Sequence, residues 1–238
     1  MQLRHALGIF SRRRHRELSE IYLESERIDA ILEKVVRPDS NCVDIGCHYG
    51  SMLSSLCRLA PRGRHIAFEA IPQKVRFLKR KFREVDVRET ALSDQIGTTR
   101  FFINRKASGF SGIVQHGTGE FREIEVSCSR IDDVLPRDRR FSFVKIDVEG
   151  AELPVIRGAT QFLLRDRPAI LFECGPSAPV AFGYTPGELY AMFTDQCGYS
   201  VYFLKDFIHG GRPVDRATFE AALVYPYQAF NWMARPRD

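Results

Sequence analysis

Several common signatures are missing from this chain of 238 residues. No apolar run approaches the roughly 18 residues that a membrane-spanning helix needs, so no membrane span is expected. The six cysteines, at 42, 47, 57, 128, 174 and 197, form no Cys-x-x-Cys pair and no zinc-ligand spacing. Reduced, structural thiols and a cytoplasmic setting are the expectation. The basic run Arg12-Arg13-Arg14-His15-Arg16 is not joined to an apolar stretch of signal-peptide length, which argues against secretion. No internal repeat or low-complexity tract is evident. Lysine is scarce, 7 against 28 arginines, and the net charge of +5 is spread along the chain rather than gathered. That distribution reads as a solvated surface, and nucleic acid is not expected as a partner. The dinucleotide fingerprint Gly-x-Gly-x-x-Gly is also absent.

What is present is an ordinary globular composition, 44% hydrophobic and 27% charged. The length suits one domain with one sizeable core. Ile21, Ile28, Ile31, Leu32, Val35 and Val36 recur at helical spacing, so residues 1–39 are expected to form a helical segment packing on the domain that follows. From residue 40 a strand–loop–helix rhythm begins. Strands are expected at 42–45, 65–69, 85–92, 143–148 and 169–173, with helices at 49–59, 72–83, 154–164 and 186–196. Segments 199–204 and 219–224 read as two closing strands, antiparallel neighbours at one edge. Such alternation predicts an α/β fold, a mostly parallel seven-stranded sheet covered on both faces, over residues 40–238. Between about 99 and 128 the rhythm breaks into a β-hairpin-like insertion whose Gly- and Ser-rich tip, with His116, has the composition of a lid.

The first strand runs into Asp44-Ile45-Gly46-Cys47-His48-Tyr49-Gly50. Glycines there let the backbone approach a ligand closely, at the mouth of a helix with free N–H groups. Asp44 would repel a pyrophosphate but suits a cofactor bearing a cationic amino group and a sulfonium. Glu69 closes the second strand where nucleotide-binding folds present a carboxylate to ribose hydroxyls. After the third strand, Leu92 and Asp94 of Ala91-Leu92-Ser93-Asp94 are suited to a purine, Leu92 packing on it and Asp94 accepting from its amino group.

Farther on, Lys145-Ile146-Asp147-Val148-Glu149-Gly150-Ala151-Glu152 crowds three carboxylates at a strand end. Ion pairing with Lys145 or Arg157, or charge pairing at a helix N-terminus, would account for each of them singly as well as catalysis does. Taken whole, this segment resembles the signature of the FkbM family of methyltransferases. Supporting matches are Val43-Asp44-Ile45-Gly46, Ala67-Phe68-Glu69-Ala70, Ala91-Leu92-Ser93-Asp94, Arg130-Ile131-Asp132-Asp133-Val134-Leu135, Ile156-Arg157-Gly158-Ala159 and Ile170-Leu171-Phe172-Glu173. The resemblance covers roughly residues 40 to 205. It implies a Rossmann-like class I methyltransferase fold, S-adenosyl-L-methionine as donor, and most often a hydroxyl acceptor on a sugar, glycan or polyketide-like metabolite. Where relatives commonly carry an Ala-Asn-like pair after the first glycine, this chain has Cys47-His48-Tyr49.

On this reading Asp44, Gly46, Gly50, Glu69, Leu92, Ser93 and Asp94 hold the cofactor. Asp147, Glu149 and His48 are the catalytic candidates, with Asp147 first as the base that takes the acceptor's proton. An ordinary Asp is a weak base towards an alcohol. Either burial raises it, or a divalent ion held by Asp147, Glu149 and Glu173 acidifies the acceptor; no metal site is assigned. The rival readings are a nicotinamide-dependent oxidoreductase and a catalytically inactive cofactor-binding scaffold that uses its basic N-terminal helix as an interface.

Overall fold

The structure, a computed structural model, describes residues 18–106, 108–115, 120–176 and 182–237. The basic run at 12–16 and His116 lie outside the described residues. Two helical pieces, α1 (Ser19–Tyr22) and α2 (Glu24–Val35), lead into β1 (Cys42–Ile45), α3 (Ser51–Leu59), β2 (Ile66–Glu69), α4 (Pro72–Lys81) and β3 (Asp86–Glu89). A short β4 (Ala91–Leu92) and the hairpin β5 (Gly97–Asn104) and β6 (Phe121–Ser129) follow, then α5 (Ile131–Val134) and β7 (Phe143–Ile146). The rest is α6 (Glu152–Arg157), α7 (Thr160–Asp166), β8 (Ala169–Glu173), α8 (Pro186–Ala191), a π-helical turn at Met192–Gln196, β9 (Tyr199–Phe203), α9 (Leu204–His209), α10 (Arg216–Ala222) and β10 (Asn231–Pro236).

The seven-stranded sheet has the order β3-β2-β1-β7-β8-β10-β9, with only β10 antiparallel to its neighbours. β1 and β7 are buried at every position because helices cover both faces. Side-chain alternation sorts the two layers. Val43, Ile45, Val144, Ile146, Ile170 and Phe172 pack with Ile156, Phe162 and Phe219 of α6, α7 and α10. Cys42, Phe143 and Leu171 face the other way, onto Ile31, Leu32, Leu56 and Leu204. Helix α2 therefore packs on the sheet through Ile31 and Leu32. The chain steps outward from β1 to β3 and then returns to β7, so β1 and β7 flank the switch point where open α/β sheets hold their ligands.

Three expectations need correction. Residues 85–92 are not one strand: β3 joins the main sheet, while β4 pairs in parallel with β6 in a second sheet. The helix expected at 154–164 is two, separated at Gly158, where a Cβ would lie 2.1 Å from the Ser93 carbonyl oxygen. Residues 219–224 are not a strand: Asp215 caps the N-terminus of α10 through Thr218 N, and helical spacing buries Phe219 and Ala222. The closing strand is β10, whose Trp232, Met233 and Ala234 are all fully buried between β8 and β9. All six cysteines are free thiols, and no helix among the described residues is long and apolar enough to cross a membrane.

Candidate active site at the strand ends

Alternation along four strands puts Asp44, Glu69, Lys145, Asp147 and Glu173 on one side of the sheet, at its carboxyl end. Asp44 lies opposite Lys145 in the β1–β7 register. It is fully buried, and neither carboxylate oxygen accepts a hydrogen bond of good geometry. Burial pushes its carboxyl up to about 6; the Asp147 and Glu69 carboxylates add to the rise, while Lys145 and the Leu53 N–H of α3 oppose it. The Lys145 ammonium stands 3.9 Å from Asp44 and 2.8 Å from Asp147.

Asp147 behaves differently. Burial would raise it, but Lys145, together with hydrogen bonds from Glu173 and Lys145, holds it below the ordinary value. Glu173 is driven the other way, well above the ordinary carboxylate value, by burial and by Asp147. Glu149 adopts a left-handed backbone (φ 56°), and burial, reinforced by Asp147 and Glu152, pushes it up to about 8. Glu152 is structural: its Oε1 accepts from Val148 N and Gly150 N, and the buried Tyr184 hydroxyl donates to Gly150 O at 2.8 Å.

Gly46 has φ 73°, and a Cβ there would fall 1.8 Å from the Asp147 carbonyl oxygen, so only glycine lets the β1 and β7 loops meet. Gly50 is held just as tightly against Phe82 and Leu78. Glu69 ties two loops together, accepting from His48 N and Ile71 N at 2.9 Å each. Each of its oxygens keeps a further lone pair.

The hairpin forms as expected, with β5 and β6 paired from Gly97–Cys128 to Asn104–Phe121. Its apolar side packs Phe101, Ile103, Ile113, Ile124 and Val126 on Ala70 and Ile71, beside Glu69. Ser108, near its tip, accepts from Lys74 Nζ through its carbonyl (3.1 Å) and pairs with His48 Nε2 through its hydroxyl (3.0 Å). Gly112 lies against Glu149. The described part of the tip thus bridges from the Glu69 corner to Glu149.

Leu92 is buried against the core, Ser93 Oγ donates to Asp94 Oδ1 at 3.1 Å, and Asp94 remains partly open. The structure thus gathers Asp44, Gly46, Glu69, Asp147 and Glu149 closely, with His48 at their rim; Leu92, Ser93 and Asp94 form the next strand end. Sequence reasoning missed Lys74, which is buried beside Glu69, because a lysine in the first turn of a basic helix carries no distinguishing signal. Lys145 was visible as an ion-pair partner, but its bridging of two carboxylates was not. Among the described residues, no group of three or more His, Cys, Asp or Glu is arranged to hold a metal ion.

Residues 44–201 match the Methyltransferase FkbM domain, well over half the chain and spanning every strand end described above. The chain belongs to the FkbM methyltransferase family. A curated relative, the 2-O-methyltransferase NoeI of Sinorhizobium fredii (strain NBRC 101917 / NGR234), is 27% identical over 160 residues, which are 59% of this chain and 65% of NoeI. The chain thus spans under two thirds of that relative's length. The crystal structure of methyltransferase FkbM from Methylobacillus flagellatus KT aligns with a TM-score of 0.52 at 13% identity, over 84% of this chain and 44% of that one. A putative rRNA-methylase from Clostridium thermocellum aligns with a TM-score of 0.50 at 10% identity, over 90% and 96% of the two chains. These likenesses show a shared class I methyltransferase fold. This chain also differs in strand order from the dinucleotide-binding fold, because β10 enters antiparallel between β8 and β9.

Proposed function

We propose that this chain is an S-adenosylmethionine-dependent O-methyltransferase acting on a hydroxyl of a sugar, glycan or polyketide-like metabolite. The observation that carries the reading is Asp44, a fully buried carboxylate whose two oxygens accept no hydrogen bond of good geometry, at the switch point of an FkbM fold. A buried carboxylate without donors is costly unless a ligand supplies them. The cationic amino end of S-adenosylmethionine fits that need, Glu69 has lone pairs left for ribose hydroxyls, and Leu92 with Asp94 suits the purine. The NoeI relative, by its name, methylates a 2-hydroxyl, which supports an oxygen acceptor.

When bound, S-adenosylmethionine supplies a methyl group already activated by its sulfonium, so the protein's tasks are orientation, exclusion of water and proton removal. Lys145 holds Asp147 ionised and fixed, suited to orient the acceptor by accepting a hydrogen bond from a neighbouring hydroxyl rather than from the one that is methylated. We assign the proton itself to Glu149. Its carboxylate, once ionised near pH 8, is a stronger base than Asp147, which Lys145 weakens. The hairpin tip against Glu149 and His48 limits water at the site. His48, bonded to Ser108, anchors that tip rather than moving a proton.

Calorimetric titration with S-adenosylmethionine and S-adenosylhomocysteine tests the cofactor. Binding that Asp44→Ala and Glu69→Ala both weaken is expected. A folded protein that binds neither compound overturns the reading.

A further inference from the structure

The segment between α10 and β10 follows the helix that reads as a strand in the sequence, and it lies at the carboxyl end of the sheet. Asn231 opens β10 paired with Glu173, and Cys174 N donates to Phe230 O at 2.8 Å. Glu173 in turn is hydrogen-bonded to Asp147. Leading away from that corner, the rings of Phe230 and Tyr227 have centroids 5.2 Å apart, and those of Tyr227 and Tyr225 are 5.6 Å apart and perpendicular. Tyr225 is 58% exposed and Val224 66%. The three rings make a stepped aromatic surface at the carboxyl end of the sheet, rooted one residue from the Asn231–Glu173 pair.

The N-terminal helices hold this surface in place. Glu24, 6% exposed, accepts from Phe230 N (2.7 Å), Asn231 N (3.0 Å) and Asn231 Nδ2 (2.8 Å). One carboxylate thereby fixes the root of the aromatic segment across some two hundred residues of chain.

We propose that Tyr225, Tyr227 and Phe230 form an acceptor subsite that stacks on the C–H face of a neutral pyranose ring. Residues 221–231 contain no charged side chain, and the two cations that lie beside Gln228 and Asn231, Arg27 and Lys205, are both paired with Glu20, so the aromatic segment itself brings no cation to a phosphate or an anionic lipid. Aromatic faces are electron-rich and attract polarised C–H groups, while phenol hydroxyls and the Gln228 amide can bond sugar hydroxyls at the rim. The subsite narrows the substrate class of the methyltransferase reading to carbohydrate, and it rests on that reading only for its purpose, not for its existence.

The test uses the whole chain and neutral chito-, cello-, malto- and manno-oligosaccharides of three to six units, screened by saturation-transfer NMR from the protein's aromatic protons. Positive series are then followed by calorimetry. At least one series is expected to receive transfer, with Tyr225→Ala and Tyr227→Ala each weakening binding about tenfold and the Phe variants within about twofold of the parent. S-adenosylhomocysteine affinity should stay unchanged in all four variants. No transfer to any series in the unmutated protein overturns the subsite, and needs no variant to fold. Sugar binding indifferent to both Ala variants overturns it too. Sugar binding lost in those variants, in a protein that does not bind S-adenosylhomocysteine, supports the subsite and overturns the methyltransferase reading alone.

Discussion

Replacing Asp44 by Asn should make the ligand-free protein more stable relative to the parent as pH rises. Burial, aided by Asp147 and Glu69, lifts this carboxyl from 3.8 to about 6 in the folded chain. The folded state therefore holds a proton that the unfolded chain releases between about pH 4 and 6. Stability is lost as pH rises through that window, and the loss is complete above about pH 7. A shift of roughly two units corresponds to about 3 kcal/mol. An asparagine does not titrate there, so the stability difference, variant minus parent, should grow by about 3 kcal/mol between pH 4 and 7.5. Any constant offset from the new amide's own hydrogen bonding cancels. In a chain of this size that is about 6–12 °C in melting temperature. Calorimetric melting of both proteins across this range, without cofactor, reads it directly. The same variant should bind S-adenosylhomocysteine at least about tenfold more weakly at pH 7.5. Parallel pH profiles for the two proteins would refute the argument that Asp44 is ionised at a cost.

Gly46→Ala should cost at least about 3 kcal/mol in urea unfolding, since it adds left-handed strain to a collision with the Asp147 carbonyl; a loss under 1 kcal/mol would mean that the two loops can separate freely. An acid whose pKa is raised to about 8 must lose its proton before acting as a base, so the parent's kcat should climb with pH and level off above about 8. Glu149→Gln should abolish that limb and lower kcat about a hundredfold, whereas a surviving limb assigns the proton elsewhere. Glu24→Ala leaves the donors of Phe230 and Asn231 without their acceptor and should cost about 2–4 kcal/mol. Hydrogen exchange at those two amides should accelerate, and unchanged protection would show that the loop does not depend on Glu24.

The legible parts of the fold share one property: their signal is local. The strands at 42–45 and 169–173 stand where the mostly apolar runs put them, because a strand covered on both faces is apolar except where, as at Asp44, a polar group serves the site. The hairpin was legible from alternation and turn composition, and α2 from its helical stripe. The segment at 219–224 misled because Phe219 and Ala222–Val224 read as an apolar strand, while Asp215, four residues before Phe219, supplies a helix cap. Residues 85–92 misled for another reason, since nothing local says that a chain will change sheets at Thr90.

The sequence by itself determined the layered α/β class, the acidic residues at successive strand ends and the glycines between them, because strand period and backbone freedom are properties of neighbouring residues. It also carried the family, through one unbroken segment at 145–152. Only the tertiary structure decided what those groups do to one another. Asp44 and Lys145 are about a hundred residues apart, and the β1–β7 register alone makes them neighbours. That register, with β8 beside β7, holds Asp147 low, drives Glu173 up and buries Asp44, because desolvation and charge coupling depend on distances across the sheet rather than along the chain.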